Sequence, residues 1–227
     1  MDAESLYTTA NMFKQASLDF ISVVGRGTIA LSIALAVFLS TPGVSAKQDL
    51  ASASAGQQTI GEQVIGKKSY VVSTMIVNAR PENCFRICTD YKHAATVFPT
   101  LKKCQVVQDN GATKLVNYVT HPTGSFTDYD YVLEVKETPY QMIEWKRVYG
   151  DFKAIDGYWK LDSTQGGSKT QVTYATYVDG GLFMPQILIK RQFRIDLPPA
   201  MIALKNEAES VTNTNARVAG KPGSNAH

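Results

Sequence analysis

Between about residue 67 and residue 211 the chain alternates short apolar runs with turn residues. "KSYVVSTMIVN" (68–78) sets Val71, Ser73, Met75 and Val77 on one face of an extended chain, the period-two pattern of a half-buried strand. Pro81 opens a short helix, because a proline's missing N–H costs nothing in a first turn. Cys84, Phe85, Ile87 and Cys88 form that helix's apolar stripe. Asp90-Tyr91 closes it, and "KHAATVFP" holds a second short helical turn before Pro99. Six more strands follow, at 103–109, 113–121, 126–137, 141–148, 152–162 and 169–179. Asn110-Gly111, Pro122-Thr123-Gly124, Thr138-Pro139, Gly150-Asp151 and Gly166-Gly167 stand between them, turn residues of the kind that join antiparallel neighbours.

Gly180-Gly181 leads into a long last helix with Ile189, Phe193, Ile195, Leu197, Met201, Ile202 and Leu204 near helical spacing. Pro198-Pro199 interrupts it, removing two donors and crowding the preceding turn. The sequence therefore predicts two segments, about 183–195 and 197–212, with Asp196 capping the second. The bend between them reads either as shape that follows the sheet or as a hinge.

The order is one strand, two short helices, six strands and one long helix. Six strands in succession with short joints make an antiparallel meander, and the first strand can pair at its far edge. Each strand has one apolar face: Tyr129, Tyr131, Leu133 and Val135 on one, Trp159 and Leu161 on another, Val172, Tyr174, Thr176 and Val178 on a third. Those faces must be covered, and the last helix is the element long enough to do it. A curved sheet around one helix does not close tightly, so a ligand-sized hollow is expected between them.

Five stretches in this order carry a family resemblance: "VNARPENCFRICTDY", "FPTLKKCQVV", "IEWKRVYGDFKAIDGYWKL", "KTQVTY" and "IKRQFRIDLPPAMIALKNEAE". Together they resemble the polyketide cyclase/dehydrase and coenzyme Q-binding protein family of the START-like superfamily, over about Ser69 to Ser210. The resemblance implies an α+β helix-grip fold: a curved antiparallel seven-stranded sheet wrapped around a long, Pro-kinked C-terminal helix, with two short helices after the first strand. It implies a cavity for sterols, phospholipids, polyprenyl quinones, hormones or polyketides, some members being cyclases. It carries over no catalytic residues and no cofactor.

The flanks have a different composition. "TIALSIALAVFLS" (28–40) is an apolar run after Arg26, followed by Pro42-Gly43 and then Val44-Ser45-Ala46. This is the order of a signal peptide cleaved after Ala46, with an uncleaved membrane anchor as the alternative. Asp2, Glu4 and Asp19 outnumber Lys14 and Arg26, which is unlike the positive leader of an ordinary signal. Residues 1–46 are thus read as a signal peptide or anchor, 47–66 as a linker, 67–212 as the ligand-binding domain and 213–227 as a polar tail. An exported location (periplasm, lumen or extracellular) follows from cleavage.

Composition adds exclusions. A net charge of +3 with no basic stripe or RNA-binding motif argues against a nucleic-acid partner. Three cysteines, Cys84, Cys88 and Cys104, leave at least one free thiol outside the cytoplasm. A bridge from Cys104 to Cys84 or Cys88 competes with their being small buried apolar residues. No paired Cys/His spacing points to a metal, and Ser-His-Asp, P-loop and GxGxxG patterns are absent.

The expected cavity wall is Met75, Val77, Tyr129, Tyr131, Leu133, Trp145, Trp159, Tyr174, Phe193 and Met201. His93 and His121 have no partner at diagnostic spacing and read as surface residues. Glu144 and Arg147 read as a cross-strand surface pair, or else as a polar group at the cavity. Lys190, Arg191 and Arg194 read as a solvated helix face, or as a contact to anionic lipid headgroups. The expected function is an exported carrier or sensor of a hydrophobic molecule, a lipid, polyprenyl quinone or polyketide-like compound. The alternative is an aromatase/cyclase-type enzyme.

Overall fold

The computed structural model describes residues 57–182 and 184–219, without the side chains of 214–219. The expected signal peptide or anchor lies outside the described residues. No described helix is long and apolar enough to cross a membrane.

Eight antiparallel strands form one sheet: β1 (Thr59–Ile65), β2 (Lys68–Val77), β3 (Leu101–Asp109), β4 (Thr113–Thr120), β5 (Tyr129–Thr138), β6 (Met142–Gly150), β7 (Ala154–Thr164) and β8 (Lys169–Asp179). Helices α1 (Pro81–Thr89) and α2 (Ala94–Val97) separate β2 from β3, and α3 (Gln186–Ala219) follows β8. The spatial order is β1-β2-β8-β7-β6-β5-β4-β3, so β3 to β8 form the meander and β2 pairs with its last strand.

The expected seven strands become eight because β1 lies in the stretch read as linker. It is joined to β2 by a two-residue turn at Gly66-Lys67, with Gly66 at φ 63°. Every β1 residue is exposed. With no buried face it has no reason to alternate, and alternation is what identifies a strand in sequence.

The last helix differs from expectation more directly. It runs as one element from Gln186 to Ala219, with Pro198 and Pro199 inside it, rather than as two segments. Asp196 does not cap a restarted helix. Its Oδ1 accepts the Thr123 N–H at 3.1 Å and its Oδ2 accepts the Gln192 amide at 2.8 Å. Burial on the sheet holds the second half in line despite the missing donors: Leu197, Met201, Leu204 and Ala208 are all buried. They share one core cluster with Val71, Met75, Val77 and Cys84. The helix also runs past residue 212, into the stretch read as tail.

Candidate functional site

Away from that core cluster the sheet and the helix separate, leaving a cavity of about 560 Å³. Local rules shape it. At the β6–β7 joint, Gly150 (φ 118°) lies so close to β5 that a Cβ there would sit 2.4 Å from the Asp130 carbonyl oxygen. Asp151 then fixes the turn: its N–H donates to Asp130 O at 2.9 Å and its carboxylate accepts the Asp130 N–H at 2.6 Å. This folds Phe152 against Tyr129 (ring centroids 5.0 Å apart) and Tyr131 (5.5 Å). The Gly-Asp-Phe sequence is thus a device for turning a phenyl ring into the cavity wall.

Gly157 on β7 does the same for an indole. It stands opposite Trp145, and a Cβ there would be 2.6 Å from the Trp145 ring. Trp145 meets Tyr174 at 5.4 Å, and Tyr174 meets Trp159 edge-on at 4.6 Å. Tyr118 stacks on Tyr131 at 5.9 Å. Offset and edge-on pairs of this kind are the favourable geometries of aromatic quadrupoles, and they fix the wall's shape.

Of the expected wall residues, Tyr129, Tyr131, Leu133, Trp145, Trp159, Tyr174 and Phe193 line the cavity. Met75, Val77 and Met201 do not: each is 1% exposed in the close-packed cluster, where the helix meets the sheet without a gap. Residues that sequence reasoning missed include Tyr91, Phe98, Tyr118, Phe152, Ile189 and Gln192.

The wall is nearly free of charge. Among the described residues it holds no Lys, Arg, His or Glu, and its single carboxylate is the already engaged Asp196. One of its phenols is turned aside. Tyr91 donates to Glu137 at 2.6 Å, so its ring rather than its hydroxyl faces the hollow. Burial raises the phenol pKa of Tyr91, Tyr118, Tyr131 and Tyr174, that of Tyr131 to about 12. Cys88 and Cys104 line the cavity as free thiols, and Cys84 is buried and free. Burial pushes the Cys84 thiol up to about 11 and the Cys104 thiol up to about 12. None is the activated thiolate of a nucleophile.

The other candidates fall outside. His93 pairs with Asp90 at 2.8 Å and His121 with Asp128 at 2.6 Å, both at the surface. Glu144 and Arg147 form neither the expected surface pair nor a joint polar group at the cavity. Three residues apart on β6, they point to opposite sides, Glu144 beside Lys136 and Tyr158, Arg147 beside Leu133. Among the described residues no group of three or more His, Cys, Asp or Glu side chains could hold a metal.

Leu188 of α3 both lines the cavity and is exposed, which puts a mouth beside it, and Pro122 and Ser125 of the β4–β5 loop, Met184 of the β8–α3 loop and Gln192 line the cavity with it. Phe126, Leu182, Ile187 and Leu188 on those same segments are exposed. Lys190 and Arg194 are not free cations beside it. Both contact Glu62 of β1, at 2.6 and 3.0 Å, while Arg191 is exposed.

A curved antiparallel sheet closed by one long helix over an aromatic hollow defines a helix-grip, START-like protein. Residues 77–205 match the family described as polyketide cyclase / dehydrase and lipid transport, and the chain belongs to that family. Solved structures share the fold at low identity. A START superfamily protein from Mycobacterium smegmatis is 19% identical, with 66% of this chain and 99% of that one covered and a TM-score of 0.56. The Zhui aromatase/cyclase from Streptomyces sp. R1128 is 14% identical, with 67% and 98% covered and a TM-score of 0.53. Human STARD10 is 11% identical, with 73% and 75% covered and a TM-score of 0.59. No curated protein matches the sequence.

Proposed function

We propose that this protein binds and carries a neutral hydrophobic small molecule in the cavity, without covalent chemistry. The cation-free aromatic wall carries the reading. A phosphate or carboxylate buried there would meet no cation, and an unpaired buried charge is strongly unfavourable. At the packing density of protein interiors, 560 Å³ holds roughly 25–30 non-hydrogen atoms, enough for a sterol-sized or polyketide-sized molecule. Each 100 Å² of apolar surface removed from water contributes about 2.5 kcal/mol, so burying roughly 350 Å² or more supplies the roughly 8 kcal/mol of micromolar binding. The family also supports an aromatase/cyclase-type enzyme as the alternative. A wall with no Lys, His or Glu among the described residues to serve as a general base favours the carrier.

Uptake would occur at the mouth. Phe126, Leu182 and Ile187 project apolar surface from the segments around it, and they suit transient contact with a membrane surface better than Lys190 and Arg194, which are paired with Glu62. Export rests on the apolar run and small residues before Lys47.

Native mass spectrometry of the purified full chain, with a fluorescence titration of N-phenyl-1-naphthylamine, tests the carrier. Co-purified neutral ligand or saturable probe binding is expected, with binding at least tenfold weaker in Ala200→Trp, which fills the cavity from α3. A folded wild-type protein that carries no ligand and binds no probe would sink the reading.

A further inference from the structure

We propose that Glu62 latches the N-terminal half of α3 over the cavity, so that breaking this clasp sets how fast ligand enters and leaves. The inference rests on the cavity being the ligand site, and it assigns a role to a strand outside the family match, which begins at residue 77.

The two halves of α3 are held by different means. From residue 197 on, Leu197, Met201, Leu204 and Ala208 are buried in the core. Before residue 197 the one buried side chain is Ile189, which lines the cavity and packs in a second cluster with Val178 and Ile155, so this half has one buried anchor where the other has four. Polar bonds hold that first half on both flanks. Toward β1, Lys190 Nζ reaches Glu62 at 2.6 Å and Ser69 Oγ at 3.0 Å, and Arg194 Nη2 reaches the other Glu62 oxygen at 3.0 Å. Toward the β4–β5 loop, Gln192 donates to Thr123 O at 3.1 Å and Thr123 N–H donates to Asp196.

Pro198 and Pro199 mark the boundary between the halves. Neither has an N–H, so the carbonyls of Arg194 and Ile195 lose their helical partners at this one place. A helix weakened there bends more readily than elsewhere. One carboxylate shared by two cations beyond that weak point is therefore placed to hold the free half down. Glu62 is 32% exposed, Lys190 26% and Arg194 62%, so solvent and salt reach the clasp and it can open.

Stopped-flow exchange of N-phenyl-1-naphthylamine on the full chain, with amide hydrogen exchange on the ligand-free protein, tests the latch. Glu62→Gln, and separately the Lys190→Gln/Arg194→Gln pair, should speed both association and dissociation by roughly three- to tenfold, with Kd changed less than twofold. Added salt should speed exchange in the wild type and not in Glu62→Gln. Amides of 186–196 should exchange faster in both variants, and those of 201–212 should not. Unchanged amide exchange at 186–196 overturns the latch with or without a ligand. So do unchanged probe rates in protein that binds the probe, a result that leaves the carrier reading standing.

Discussion

Gly157 shows how much of the cavity depends on one absent side chain. A Cβ there would be 2.6 Å from the Trp145 indole and 2.3 Å from the Ala175 carbonyl oxygen. Gly157→Ala should therefore destabilise the fold by about 1–3 kcal/mol, as overpacked cores do, measured by urea unfolding. It should also weaken probe binding, because the displaced indole moves into the hollow. An unchanged affinity would mean that Trp145 is not part of the binding surface. At this scale the sequence was partly legible. Aromatic residues on cleanly alternating strands, such as Tyr129, Tyr131 and Tyr174, were readable as wall. Phe152 was not, because a turn rather than a strand aims it. Tyr118 was not, because on β4 only Val116 is buried, and the alternation that would mark a face is blurred. Met75, Val77 and Met201 share the apolar face of the wall residues. Period fixes the face, and only packing fixes where along it the helix lifts away.

Elements were legible where they bury something. Seven of the eight strands and all three helices announce themselves through an apolar face or a turn, whereas β1 buries no residue and looked like linker. The break foreseen at Pro198-Pro199 was overruled by tertiary packing, since the contacts of Leu197 and Met201 outweigh two lost backbone bonds. The prolines keep a cost all the same. Pro198→Ala with Pro199→Ala restores the donors and should raise the melting temperature while slowing probe exchange. A raised melting temperature with unaltered exchange would leave the prolines as shape alone.

For the whole molecule, pH dependence follows from which groups the fold perturbs. Burial raises the phenol pKa of Tyr91, Tyr118, Tyr131 and Tyr174 above the ordinary value of 10.0. The stability these groups confer is present below about pH 10 and is lost as the pH rises toward their folded values. Hydrogen bonds from Lys190 to Glu62 and from His93 to Asp90 lower those carboxyls, and their contribution is lost as the pH falls through the lowered values. The melting temperature should thus be nearly flat from about pH 5 to 9 and should fall on either side. Above about pH 10 the loss of structure should coincide with a rise in tyrosinate absorbance. Tyrosinate appearing well before unfolding would mean that water reaches the wall freely.

Apart from Asp196 the cavity wall carries no charge among the described residues, and the nearby cations Lys190 and Arg194 sit outside it, on Glu62. If the proposed carrier and latch hold, affinity is set by surfaces that ions do not sense, while passage is set by contacts that they do. A carrier arranged this way keeps retention and delivery under separate control: it can hold the same cargo with the same strength in two compartments and surrender it at different speeds.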